Sequence, residues 1–186
     1  MTEVELKARL TEAQAAGMAE TLASLGFAPK QNSREVDVYF NGNLRDFRKS
    51  DEALRLRSRT DLDAGATETL WTYKGPKADP RSNTRTEYET AVGELEIAKH
   101  ILESLGFEAA YTVEKVRREV QRGSVTVCLD QVTGLGAFME LEILLDGGDR
   151  DGAVESLLAL LDTLGVSREA LSRKSYLELL IASATV

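Results

Sequence analysis

Between Glu3 and Leu10 every second residue is charged and the residues between are apolar: Glu3, Glu5, Lys7 and Arg9 alternate with Val4, Leu6, Ala8 and Leu10. Successive side chains of a β-strand point to opposite faces, so the pattern predicts a strand with one charged face and one apolar face. The same period recurs further along. Arg55, Arg57 and Arg59 alternate with Leu54 and Leu56, Arg85, Glu87 and Glu89 with Thr86 and Tyr88, and Glu140 and Glu142 with Met139, Leu141 and Ile143. A single antiparallel strand ordinarily keeps one wet face. Several strands with charged faces of mixed sign predict a shared polar cavity.

Helical spacing replaces the alternation in three places. Thr11-x-x-Gln14 forms a capping box, and Ala15, Met18, Leu22 and Leu25 follow at helical intervals until Gly26. A second helix is predicted through Leu95, Ala98, Ile101, Leu102 and Leu105, ending at Gly106, and a third through Val154, Leu157, Leu158, Leu161 and Leu164, ending at Gly165. The first two share an ending, Leu-x-Ser-Leu-Gly-Phe, at positions 22–27 and 102–107. Each follows a charged strand and precedes more strands, which implies two similar halves.

Further strands are predicted at 34–40, 53–60, 67–74, 85–92, 111–121, 124–130 and 137–145. Asp61–Gly65 and Arg122-Gly123 read as hairpin connections. Residues 75–84, with Gly75, Pro76, Pro80 and Asn83, read as the clearest flexible loop, and residues 41–52 as a second. Neither is long enough to separate domains. The expected fold is α+β, a single domain over 1–186: an eight-stranded, antiparallel-rich β-barrel with helices packed against its apolar outside.

Composition narrows the function. A net charge of −8 and a pI near 4.9 argue against a general nucleic-acid or anionic-membrane surface, so an anionic ligand needs a local cationic cluster. One cysteine, Cys128, excludes an internal disulfide, and no apolar stretch approaches a membrane span. The expected location is cytoplasmic.

Inward charged faces make a wet, ligand-filled lumen, because ionised groups leave water only when paired. Glu3, Glu5, Glu140 and Glu142 offer hard oxygen donors with no histidine or cysteine among them, suited to Mg²⁺ or Mn²⁺. Lys7, Arg55, Arg57, Lys74, Arg85, Lys115 and Arg117 supply charge-assisted donors, each contributing roughly 1.5–3 kcal/mol to an ionised acceptor. A set this large fits a metal-bound triphosphate better than a monophosphate.

Glu3-Val-Glu5-Leu-Lys7 resembles the signature of the CYTH superfamily, the triphosphate tunnel metalloenzymes. It is followed in order by Val36-Asp-Val-Tyr39-Phe40, Ala53-Leu-Arg55-Leu-Arg57, Tyr73-Lys74-Gly75-Pro76, Arg85-x-Glu87-x-Glu89, Val113-x-Lys115-x-Arg117, the segment from Leu129 to Glu142, and Lys174-Ser-Tyr176-Leu-Glu-Leu-Leu180. The resemblance covers nearly the whole chain and is closest to the class IV adenylate cyclase branch. It implies that Glu3, Glu5, Glu140 and Glu142 belong to an acidic metal site joined or supported by Asp130. It also implies that Lys7, Arg55, Arg57, Lys74, Arg85, Lys115 and Arg117 grip the triphosphate, with Lys7, Lys74, Lys115 and Arg117 acting in catalysis. The implied substrate is ATP, giving cyclic AMP and pyrophosphate, and the branch favours a homodimer. An inorganic or thiamine triphosphatase is the alternative, and a non-catalytic polyphosphate or nucleotide sensor a further one.

Other conspicuous residues read as structural. His100 shares its helix side with Glu96, Lys99 and Glu103, opposite the apolar stripe, which places it in solvent. Cys128 has no flanking histidine to activate it. Trp71 and Tyr73 are expected in core or rim packing, and Tyr176 is expected over one end of the barrel with Leu179 and Leu180.

Overall fold

A computed structural model describes residues 2–184. The chain runs β1 (Thr2–Arg9), α1 (Glu12–Ser24), β2 (Ala28–Gly42), β3 (Ala53–Asp61), β4 (Thr67–Lys74), β5 (Arg85–Val92), α2 (Leu95–Ser104), β6 (Phe107–Arg122), β7 (Val125–Val132), β8 (Gly136–Leu145), α3 (Arg150–Thr163), a 3-10 turn (Arg168–Ala170) and α4 (Tyr176–Ser183). The eight strands close into a barrel in the order β1-β5-β4-β3-β2-β6-β7-β8, and every pairing is antiparallel. Strands β2 and β6 are longer than the alternation predicts, because they pair with each other from Ala28 to Gly42.

Two βαβββ halves are visible. Exchanging β1 with β5, β2 with β6, β3 with β7 and β4 with β8 returns the same ring of neighbours. The shared helix ending has a structural cause: Gly26 and Gly106 adopt φ +82° and +85°, where a glycine ends a helix without steric cost. The box at Thr11 forms as expected, with the Gln14 amide donating to Thr11 Oγ1 and the Thr11 amide to Gln14 Oε1.

Alternation decides what faces out. Val4, Leu6 and Ala8 of β1 join Val127, Met139, Leu141 and Ile143 in a core covered by Met18 and Leu22 of α1 and by Val154, Leu157 and Leu161 of α3. Across the barrel, Phe40, Leu54 and Leu56 pack against Ala98 and Leu102 of α2. A third cluster of Tyr39, Val113, Val132, Leu135, Phe138 and Tyr176 brings α4 against the barrel. Among the described residues, no helix is long and apolar enough to cross a membrane.

One expectation needs correction. Residues 75–84 are not a free loop but part of the wall. Strand β1 pairs with β5 only at Thr2 and Glu3. The rest of that edge is completed by the Asn83 amide donating to the Glu5 carbonyl at 2.9 Å, the Ser172 amide donating to the Lys7 carbonyl at 2.8 Å, and a bridge from Ala8 to Leu171. Arg173 donates to the Asp79 and Ser82 carbonyls, and Ser82, Asn83 and Thr84 are buried. Unpaired strand amides and carbonyls need partners, and this segment supplies them.

Candidate active site

The lumen is a cavity of about 320 Å³ lined by Glu3, Glu5, Lys7, Arg55, Arg57, Lys74, Arg85, Lys115, Arg117, Glu140 and Glu142, together with Asp37, Glu87, Glu89 and, at the α4 end, Ser175 to Glu178. Strand register explains the convergence: Glu5 lies opposite Glu142 and Lys7 opposite Glu140, Arg57 opposite Asp37, and Arg117 opposite Asp130. Directly opposed residues share a face, so pairing carries the charged set around the inside.

Three ionic groupings divide this surface. In the first, Glu3, Glu5 and Glu142 each bring one oxygen within 4.8 Å of the others. Burial raises the Glu3 pKa against the pull of Lys74. Glu142 is pushed well above the ordinary carboxylate range by burial and then by Glu3. Three converging carboxyl groups with no nitrogen or sulfur donor form a set that fits a hard divalent cation.

In the second, Lys7 bridges Glu5 at 3.1 Å and Glu140 at 3.0 Å. Arg117 donates to both oxygens of Asp130, at 2.7 and 2.5 Å, and also to Glu140. Burial alone would lower the Lys7 pKa, but Glu5 and Glu140 raise it above its usual value. The Tyr176 hydroxyl donates to Asp130 Oδ2 at 2.8 Å, and Lys7 Nζ sits 4.6 Å from the centre of the Tyr176 ring. Asp130 and Glu140 are thus paired with Arg117 and Lys7, and their oxygens are not among those that meet within 4.8 Å in the three-carboxylate group.

In the third, Asp37 accepts two bonds from Arg57, at 2.6 and 2.8 Å, and one from Arg55 at 3.4 Å, with Lys115 Nζ 3.6 Å away. Glu35 lies 2.5 Å from Lys115 and 2.9 Å from Arg57. Burial opposes ionisation of both carboxylates, but the cations win. Lys115 and Arg57 hold Glu35 down to about 2, and Arg57 with Lys115 holds Asp37 well below its usual range. Lys74 pairs with Glu3 at 3.0 Å and Glu87 at 2.6 Å, while Arg85 donates to the Gly75 carbonyl at 3.4 Å.

Glu35 and Asp37 were missing from the set expected on the sequence, although they share the alternation with Val36 and Val38. Asn83 was missing as well, and only its non-local pairing with Glu5 reveals it. Tyr39 faces the lumen. His100 is exposed beside Glu103. Cys128 is buried, its thiol pushed well above its usual pKa by burial. The Tyr73 ring stacks on Tyr88, and its hydroxyl donates to Glu52.

The CYTH domain family matches residues 1–176. The chain belongs to that family. A Methanocaldococcus jannaschii protein provisionally named an adenylate cyclase is 38% identical over 180 residues, 96% of this chain and 98% of that one. The adenylate cyclase CyaB of Aeromonas hydrophila is 30% identical over 192 residues, 99% of this chain and 91% of that one. Among solved structures, the PH1819 protein of Pyrococcus horikoshii superposes with a TM-score of 0.88 at 38% identity, covering 97% of this chain and 99% of that one. A Hippeastrum protein, provisionally an adenylyl cyclase and found to have a dominant triphosphatase activity, shares the fold at 14% identity and a TM-score of 0.68, covering 98% of this chain and 95% of that one. The CYTH fold of this chain is thus a closed triphosphate-tunnel barrel.

Proposed function

We propose that this CYTH protein is a metal-dependent adenylate cyclase of the class IV type, converting ATP into cyclic AMP and pyrophosphate. The observation that carries the reading is the meeting of the Glu3, Glu5 and Glu142 carboxylates with seven lysines and arginines inside one closed lumen. The near full-length similarity to proteins named adenylate cyclase supports the choice of reaction.

Glu3, Glu5 and Glu142 would hold Mg²⁺ or Mn²⁺, which supplies charge neutralisation at the phosphate oxygens. Arg55, Arg57 and Arg85 bind the triphosphate from the walls. Lys7, Lys74, Lys115 and Arg117 stabilise the charge that develops as the phosphorus–oxygen bond breaks. Their carboxylate partners keep them aimed inward before substrate arrives. In the reaction the ribose 3′ oxygen bonds to the α-phosphorus, the bond from that phosphorus to the bridging oxygen breaks, and pyrophosphate and a proton leave. Orientation of that oxygen in line with the leaving group can supply roughly 7–11 kcal/mol of the barrier.

A triphosphatase would use the same cations on the terminal phosphorus with water as nucleophile, and it needs no anchored nucleoside. Incubation with ATP, tripolyphosphate and thiamine triphosphate, with Mg²⁺ or Mn²⁺ and with neither, separates the two. Cyclic AMP and pyrophosphate from ATP are expected. Orthophosphate from tripolyphosphate, with no cyclic AMP from ATP, overturns the cyclase reading in favour of hydrolysis.

A further inference from the structure

Asn83 lies in the segment that completes the barrel wall beside β1, and its side chain is turned toward the carboxylate trio. Its amide donates to Glu5 Oε1 at 2.8 Å and more weakly to the Ser172 carbonyl at 3.4 Å, while its backbone N–H donates to the Glu5 carbonyl at 2.9 Å. The side chain is buried, at 4% exposure. Its Oδ1 has no partner. A buried amide left with an orphaned acceptor is held for its donor side, because a bond to an ionised oxygen is among the stronger hydrogen bonds.

The second donor to the Glu5 carboxylate, Lys7 Nζ, also reaches Oε1, at 3.1 Å. Both donors therefore converge on one oxygen, and no hydrogen bond from the described residues engages Oε2. Asn83 cannot swing away easily. Arg173 fixes the carbonyls of Asp79 and Ser82, and the Ser82 and Thr84 hydroxyls are bonded to each other at 2.5 Å.

We infer that Asn83 is a positioning residue for the divalent cation: by anchoring Oε1 of Glu5 it turns Oε2 toward the ion shared with Glu3 and Glu142. The inference rests on the metal assignment made above. Partners that orient a ligand group affect metal affinity by roughly 10–100-fold when removed.

The test is Mn²⁺ binding without nucleotide, followed by electron paramagnetic resonance of the free ion, alongside tripolyphosphate binding in chelator by calorimetry. Asn83→Ala, Asn83→Ser and Glu5→Gln are compared with the parent. Serine keeps a polar group at the site but is too short to reach Oε1, so it decides the matter if the alanine variant does not fold. Both Asn83 variants should lose roughly tenfold or more in Mn²⁺ affinity with tripolyphosphate affinity unchanged. A smaller loss of Mn²⁺ affinity, while Glu5→Gln loses it, overturns the role of Asn83 alone. Equal losses of Mn²⁺ and tripolyphosphate affinity overturn it too, since they report a loosened lumen. Parent-like Mn²⁺ binding by Glu5→Gln overturns the metal assignment itself, and the inference falls with it.

Discussion

Asp37→Asn removes one charge from the most densely paired carboxylate in the lumen while keeping its shape. Asp37 is 1% exposed and faces Arg57 at 2.6 and 2.8 Å, Arg55 at 3.4 Å and Lys115 at 3.6 Å. Removing one partner of a buried pair costs about 3–5 kcal/mol, because the remaining charge is left uncompensated. Glu35 stays within 2.9 Å of Arg57 and 2.5 Å of Lys115, which places the cost at the lower end, about 3 kcal/mol. For a chain of this size that corresponds to about 6–12 °C in thermal midpoint. The same change leaves Arg55, Arg57 and Lys115 with one anionic partner fewer, so metal-free tripolyphosphate should bind more tightly than in the parent. A ligand at a hundred times its dissociation constant adds about 2.7 kcal/mol, enough to restore most of the loss. Calorimetric melts in chelator, with and without tripolyphosphate, read both effects. A variant that melts with the parent in the absence of ligand, or that tripolyphosphate stabilises no more than the parent, refutes the view that Asp37 holds these cations in place of substrate.

Two further outcomes follow from the same charges. Glu5→Gln should abolish metal-dependent turnover yet remain folded, since one of three crowded carboxylates becomes neutral; retained turnover refutes its place in the metal site. Acid should destabilise the protein through Asp37 and Glu35. Their folded pKa values are depressed, so their contribution is complete above the ordinary carboxylate pKa near 4 and is lost as pH falls toward about 2, the value for Glu35. Urea midpoints should therefore fall on acidification below that point, and less steeply in Asp37→Asn; parallel curves for parent and variant refute the assignment.

The barrel was legible because its evidence is local: Val4, Leu6 and Ala8 against Glu3, Glu5 and Lys7 state both faces of a strand without knowledge of its partners. The contents of the lumen were legible for the same reason, and Glu35 and Asp37 carry that signal too. What the alternation could not convey was which carboxylates converge on one another, because Glu3 and Glu5 are ion-paired as well. Glu140 is a candidate metal ligand by type and Asp130 one that the family resemblance implies; the β6–β7 register sets Asp130 opposite Arg117, and Arg117 reaches Glu140 as well, so both stand beside the group formed by Glu3, Glu5 and Glu142. Residues 75–84 failed for the opposite reason. Gly75, Pro76 and Pro80 signal irregular backbone correctly, but irregular is not mobile, and the contacts that pin the segment come from Glu5 and Arg173, far away in sequence.

The balance of charge in the lumen ties fold to chemistry. Among the described residues ten lysines and arginines and ten aspartates and glutamates line the cavity, with Glu35 and Asp130 paired to two of those cations, so the barrel closes around ionised groups that offset one another, without which burial would be forbidden. A polyphosphate entering such a balanced space displaces carboxylates from their cations and adds several negative charges to a volume of about 320 Å³. Divalent cations entering with the anion would restore neutrality, and the converging Glu3, Glu5 and Glu142 carboxylates, where burial raises the pKa of Glu3 and of Glu142 and the Glu3 charge raises Glu142 further, are where added positive charge would relieve repulsion.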